Sequence, residues 1–218
     1  MCGRYYLPDI DLSPDLAQIV EQMNRGALPE GFKASGEIFP SDIVPVLANS
    51  RRQTIQAFPM RWGYSLSGGR PLINARVETA ADKPLFQDGM AQRRCLIPFS
   101  HYFEWEKRQG GKVKYAIRPQ GDRLMYLAGI YRLEKKADTV VPAFTVLTRA
   151  AAPGIAFIHD RMPVILSGEW IEPWLQPGQD AIQVLRHAEQ TMRYREAAAA
   201  APPDAPSCLR DRGSRSAN

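Results

Sequence analysis

Val113-Lys114-Tyr115-Ala116-Ile117-Arg118 decides the fold class, because Val113, Tyr115 and Ile117 recur at the period of two that a half-buried strand requires. Outward from it, the same kind of reading gives strands over 94–98, 124–131, 140–148 and 162–166, with Gly110-Gly111 and Gly121-Asp122 as the turns between neighbours. Upstream, Ile43-Val44-Pro45-Val46-Leu47 reads as a further strand whose proline points to an edge or a bulge. Helices flank this β-rich body. Ser13-Pro14 supplies a cap and a first-turn proline, and Leu16, Ile19, Val20 and Met23 follow at i, i+3, i+4 and i+7. A second helix starts at Lys83-Pro84 and buries Phe86 and Met90, a short one falls within 150–158, and 179–193 reads as a longer one carrying Ile182, Leu185 and Met192. The sum is an α+β fold, mainly antiparallel, in one domain over 1–196. The alanine run and Pro202-Pro203 mark 197–218 as a disordered basic tail with little to bury.

Composition bounds the function. With 44% hydrophobic residues the chain has the makeup of a soluble protein, and no stretch of ~20 apolar residues is present to cross a bilayer. Met1-Cys2-Gly3-Arg4-Tyr5-Tyr6-Leu7-Pro8 lacks the apolar run of a secretory signal, so the expected location is the cytoplasm. Cys2, Cys95 and Cys208 show no paired spacing, which argues against a disulfide framework and against zinc; no metal or cofactor is expected. The formal charge of +5 is shared with the end of the chain: residues 193–218 hold five arginines against Glu196, Asp204 and Asp211. The excess left on the body is too small to demonstrate a polyanionic partner.

The chemistry starts at Met1-Cys2-Gly3-Arg4. A small second residue permits removal of the initiator methionine, which leaves a 1,2-aminothiol. Reference pKa values of about 7.7–8.0 for the amine and about 8.5 for the thiol make both nucleophiles available near neutrality. An aldehyde is their natural electrophile, since the amine forms an imine that the sulfur closes to a thiazolidine. Position alone also fits an ordinary small residue in a first strand. Four further segments are dense in polar and special residues: Ile73-Asn74-Ala75-Arg76-Val77-Glu78-Thr79, Arg93-Arg94-Cys95-Leu96-Ile97-Pro98, Tyr102-Phe103-Glu104-Trp105 and Ile158-His159-Asp160-Arg161-Met162-Pro163.

With Cys2-Gly3-Arg4, the stretch from Pro40 to Leu47 and Arg61-Trp62-Gly63, these segments make the chain resemble the SOS-response-associated peptidase (SRAP) family, the abasic-site processing proteins, over residues 2 to 175. The resemblance implies a twisted antiparallel sheet or partial barrel with a basic groove for single-stranded DNA. It implies that Cys2, exposed by autocatalytic removal of Met1, crosslinks to the ring-opened deoxyribose. It assigns Asn74, Glu104 and His159 to the active site, and Arg4, Pro40, Trp62, Arg76 and Arg161 to the DNA path. The expected partner is single-stranded DNA containing abasic sites, bound by a monomer that is cytoplasmic and associates with the nucleoid through DNA.

The residue types suit these roles. Glu104 lies between two aromatics, and a carboxyl drawn out of water holds its proton more tightly, as an acid/base group should; the plain alternative is a surface glutamate alternating with buried aromatics. His159 has a reference pKa of about 6.5 and suits proton transfer to the sugar oxygen, or else is a structural histidine, and Asp160 is expected to face elsewhere. Asn74 offers an amide donor and acceptor, or a turn or cap. Arg93, Arg94 and Arg149 are further candidates for phosphate contact or else solvated surface charges, and Trp62, Tyr102 and Trp105 are candidates for base stacking, although a tryptophan beside glycine is equally often core. The chain departs from the family pattern at His101, where glycine is usual, at Phe103, where tyrosine is common, and after Met192, where no closing Pro-Val-Ser and Asn segment is recognisable. Two rival readings are a cysteine peptidase or amino-terminal-nucleophile amidohydrolase acting on proteins, and a non-catalytic binder of single-stranded nucleic acid.

Overall fold

In the computed structural model, which describes residues 2–23, 28–121, 124–136 and 139–197, two sheets carry the fold. The elements in chain order are β1 (Arg4–Leu7), α1 (Pro14–Met23), β2 (Gly36–Ile38), β3 (Ile43–Asn49), β4 (Ile55–Trp62), β5 (Asn74–Arg76), α2 (Val77–Ala80), α3 (Pro84–Gln92), β6 (Arg94–Phe99), β7 (His101–Arg108), β8 (Gly111–Pro119), β9 (Met125–Lys136), β10 (Thr139–Ala150), β11 (Arg161–Pro163), β12 (Ile165–Leu166), α4 (Ile171–Leu175), α5 (Ala181–Leu185) and β13 (Met192–Glu196). One sheet runs β13-β8-β7-β1-β2. In the other, β10, β4, β3, β6 and β9 pair in turn and β9 pairs back to β10, which closes a small five-stranded barrel. Pairing is antiparallel except where β10 meets β4 and β5.

Period-two alternation explains the layering. Val44, Val46, Met60, Trp62, Ile97, Leu127, Phe144 and Val146 of the barrel strands join Tyr5, Leu7, Tyr102, Tyr115 and Ile117 of the five-stranded sheet in one buried cluster. Leu47, Leu96, Ala128, Ile130 and Leu147 alternate with them and lie in a second cluster with Phe86, Met90, Trp174, Val184 and Leu185 of the helices. No helix among the described residues is long and apolar enough to cross a membrane.

Closing so small a barrel requires close approach at Gly129. A Cβ there would lie 2.7 Å from Ile97 Cδ1 and 3.0 Å from the Thr145 carbonyl oxygen. Gly129→Ala is therefore expected to cost about 1–3 kcal/mol through overpacking. Denaturant unfolding measures it, and a variant with the wild-type midpoint refutes the packing argument.

Three elements differ from the sequence reading. Pro45 lies in an interior strand and not at an edge, since β3 sits between β4 and β6. The proline is tolerated because β6 pairs with β3 only at Leu47 and Ala48, so Pro45 stands beyond the end of that ladder. The helix expected over 179–193 is only the short α5, started by Asp180, whose carboxylate accepts from the Ile182 and Gln183 amides. Met192 belongs instead to β13, which pairs along β8 from Pro119 to Tyr115 and completes the five-stranded sheet. The end of the domain, where no family segment is recognisable, thus forms a strand. The expected tail falls, beyond Ala197, outside the described residues.

Candidate active site and nucleic-acid interface

Cys2 leads directly into β1, which is held between β7 and β2. The register sets Arg4 opposite Phe103 and Tyr5 opposite Tyr102, so Glu104 falls alongside the approach to Cys2. Alternation turns Tyr102 and Glu104 to the buried side of β7. Glu104 is 4% exposed, which removes the surface-glutamate reading.

Cys2 itself is 0% exposed. Burial, and next the Glu104 carboxylate, push its thiol well above the usual range. That corrects the expectation of a thiol ready to ionise unaided: in the chain that still carries Met1, the sulfur holds its proton and donates to the Arg4 carbonyl at 3.7 Å. Glu104 is the carboxylate whose charge this thiol feels.

Asn74 arrives from the other sheet. The pairing of β5 with β10 sets it opposite Val146, and its Nδ2 donates to the Cys2 carbonyl at 2.9 Å in a buried environment. The Asn74 Oδ1 and the Tyr5 and Tyr102 hydroxyls are buried with no hydrogen-bond partner among the described residues. Burial raises both tyrosines well above their ordinary range, so they stand as neutral donors. Unsatisfied polar atoms cost free energy when buried, and their collection around Cys2 marks a site built for a polar ligand. Asn74→Ala removes the donor to the Cys2 carbonyl and is expected to destabilise by about 1–3 kcal/mol. An unchanged unfolding midpoint argues against that hydrogen bond.

His159 follows Ile158, which packs in the same cluster as Cys2. Its Nδ1 accepts from the Arg161 amide at 3.0 Å and lies 2.7 Å from the Asp160 carboxylate. One nitrogen cannot serve both partners at once: without a hydrogen Nδ1 accepts from the Arg161 amide, and with one it donates to Asp160. Asp160 does face this ring, contrary to expectation. The imidazole has two local hydrogen-bonding states, which suits proton transfer.

The proposed DNA path is only partly assembled. Arg4 lies 5.2 Å from the Trp105 ring and 4.6 Å from the Phe39 ring and is paired with Glu37 at 3.2 Å, on the outer side of the strand that follows Cys2; Pro40 adjoins Phe39. Arg76 is exposed at the end of β5. Arg161 makes a fork-to-fork pair with Glu78 at 2.7 and 2.8 Å and donates to the Thr148 carbonyl, so a phosphate there competes with a carboxylate. Trp62 is 0% exposed, with its indole N–H on the Ile73 carbonyl and rings of Tyr5 and Phe144 against it. It therefore supports the segment that delivers Asn74 and offers no face to a base. Tyr102 is likewise buried, which leaves Trp105 alone of the three aromatics partly open. Arg94 is core: it donates to the Gln176 and Gln179 carbonyls and holds the segment after α4. Phe39, Lys114 and Tyr5 were not singled out by the sequence reading. Lys114 stands 3.7 Å above the Phe103 ring and pairs with Glu37, an arrangement that cross-strand neighbours create and linear sequence hides.

Comparison with known proteins bears on this constellation. The family described as SOS response associated peptidase (SRAP) matches residues 1–201. The chain belongs to the SRAP family. Among its curated relatives, the abasic site processing protein YobE of Bacillus subtilis is 30% identical over 187 residues, covering 81% of this chain and 83% of its own. YedK of Escherichia coli, also an abasic site processing protein, is 28% identical over 84% of this chain and 85% of its own. The SRAP fold is seen again in a phage-related protein of Bordetella bronchiseptica, with a TM-score of 0.70 at 23% identity over 91% of this chain and 95% of that one. A Bacteroides thetaiotaomicron protein gives 0.69 at 22% identity over 89% and 91%.

Proposed function

We propose that this SRAP protein captures abasic sites in single-stranded DNA through Cys2 after Met1 has been removed. The observation that carries the reading is the convergence of Asn74 and Glu104, from different sheets, on a buried second-residue cysteine. The names of its relatives, abasic site processing proteins, support the substrate class.

The chemistry balances without a cofactor. The Cys2 amine adds to C1′ of the ring-opened deoxyribose, and loss of water gives an imine. The thiol then adds across that carbon–nitrogen double bond: the sulfur bonds to C1′ and its proton passes to nitrogen, closing a thiazolidine. Because the thiol is raised by burial, sulfur attack needs a base, and Glu104 stands where the thiol feels its charge. Asn74 fixes the Cys2 carbonyl and so the direction of the amine. His159, with its two hydrogen-bonding states, serves the sugar hydroxyl as the ring opens and recloses. The imine's conjugation, which promotes β-elimination and strand cleavage, ends when sulfur adds. The strand stays intact and tethered.

Cys2 is wholly buried in the chain bearing Met1, so the reading requires that removal of Met1 frees the amine and opens the residue to DNA. We place the protein in the cytoplasm as a monomer acting without sequence preference. Intact-protein mass spectrometry before and after mixing with an abasic single strand tests the whole scheme. The expected masses are the chain without Met1 and then the chain plus the oligonucleotide less one water. A chain that keeps Met1, or one that forms no adduct, refutes it, and cleavage of added polypeptides instead would establish the protein-directed peptidase reading.

A further inference from the structure

Two hydroxyl groups lie beside Cys2 with nothing to bond. The register of β1 on β7 sets Tyr5 directly opposite Tyr102, and both side chains are 0% exposed. Neither hydroxyl has a hydrogen-bond partner among the described residues. Asp42, whose charge reaches Tyr5, is already held by Lys33 at 2.7 Å and by the Phe39 amide at 2.8 Å. Phenylalanine would fill both places without stranding a polar atom. The two hydroxyls are therefore a cost to the fold that a ligand recovers.

Their surroundings select the ligand. Cys2, Tyr5 and Tyr102 pack in one buried cluster. Burial, and next an ionised Cys2, raise both phenols, so each lies within electrostatic reach of the sulfur although neither is hydrogen-bonded to it. Phenols held neutral in this way donate hydrogen bonds and do not serve as bases. The Asn74 Oδ1, also unpartnered, is an acceptor and suits the N–H of an amine. A facing pair of donors suits an oxygen that gains negative charge, on a carbon within bonding reach of Cys2.

We infer that the Tyr5 and Tyr102 hydroxyls form an oxyanion hole for the sugar aldehyde, donating to the oxygen on C1′ as the Cys2 amine adds. This rests on the capture reading and equips its first step; removal of Met1, on which that reading already depends, gives the aldehyde its access. The nitrogen lone pair forms the bond to C1′ while the π pair of the carbonyl moves onto oxygen. The proton that nitrogen sheds passes to that oxygen, giving a neutral carbinolamine, and water then leaves to give the imine. The phenols keep their own protons throughout. Because they act before sulfur adds, they set the rate of imine formation and leave ring closure alone.

Tyr5→Phe and Tyr102→Phe keep the rings and remove one donor each. Total crosslink to an abasic single strand, imine and thiazolidine together, is followed on denaturing gels with borohydride under single-turnover conditions, using chains shown by mass to lack Met1. Each variant is expected to slow the rate at saturating strand by on the order of 10²-fold, with the half-saturating concentration unchanged. Tyr6→Phe, whose ring stacks on His101 on the other side of β1, is expected to match wild type. Denaturant unfolding midpoints of Tyr5→Phe and Tyr102→Phe are expected to equal or exceed that of wild type. Crosslinking at the wild-type rate, a loss confined to the half-saturating concentration, or a lowered midpoint, which would give the hydroxyls partners within the protein, overturns the oxyanion hole while capture by Cys2 stands. A wild-type chain that forms no crosslink overturns the capture reading and the oxyanion hole with it.

Discussion

Cys2→Ala is expected to form no durable adduct with an abasic single strand while still binding intact single-stranded DNA. Cys2→Ser separates the two bonds that the proposal assigns to Cys2: its amine remains, so a borohydride-trappable imine is expected, but without sulfur no stable ring closes. Denaturing gels with and without borohydride measure both. If Cys2→Ser crosslinks as durably as wild type, the sulfur takes no part. If Cys2→Ala does so, the reacting group lies elsewhere in the chain. The structure sharpens this prediction, because the wild-type thiol is held protonated by burial and by Glu104. Ring closure therefore depends on a proton acceptor.

Glu104→Gln is the second large effect. It keeps the shape of a 4% exposed side chain and removes its capacity to take a proton. A positioned acid/base group contributes about 10²–10⁴-fold, and crosslinking is expected to slow by a factor in that range. The variant also removes a charge that raises the Cys2 thiol, so the thiol itself ionises more readily. The two changes oppose each other, and raising the pH should recover part of the lost rate in Glu104→Gln. A variant that reacts at the wild-type rate across pH removes Glu104 from the mechanism.

Much of this was legible in the sequence where burial follows a period. Strands β8 and β10 and helices α1 and α3 show their buried faces in alternation or at i, i+3, i+4 spacing, and each lies within a few residues of its expected place. The partial barrel was legible only through the family resemblance and not from local pattern, because the return pairing of β9 with β10 and the parallel contact of β10 with β4 are relations between distant segments. The end of the domain misled for a local reason. Ile182 and Leu185 open a helical pattern that Met192 extends by coincidence of spacing, whereas Arg193, Tyr194 and Arg195 take their place as a strand because β8 offers an edge.

Site residues divided in the same way. Asn74 and Glu104 meet Cys2 as the motifs suggested, yet what each touches came only from the register. Trp62 resolves the other way: between the DNA path and the core that a tryptophan beside glycine equally often joins, it is a pillar of the core. Gly63, with φ at +104°, turns the chain immediately after it and donates its N–H to the Phe144 carbonyl, so this motif is about delivering the next segment.

Chain ends ordinarily fray, yet only Gly3 separates Cys2 from a strand that is laddered on both flanks. On the capture proposal, a lesion fastened there would hang on a leash of one residue. Deuterium uptake at the Tyr5 and Tyr6 amides should consequently track global unfolding, and a bound strand should be gripped at a fixed angle, as cargo bolted to a chassis is, without the swing that a loose tether allows.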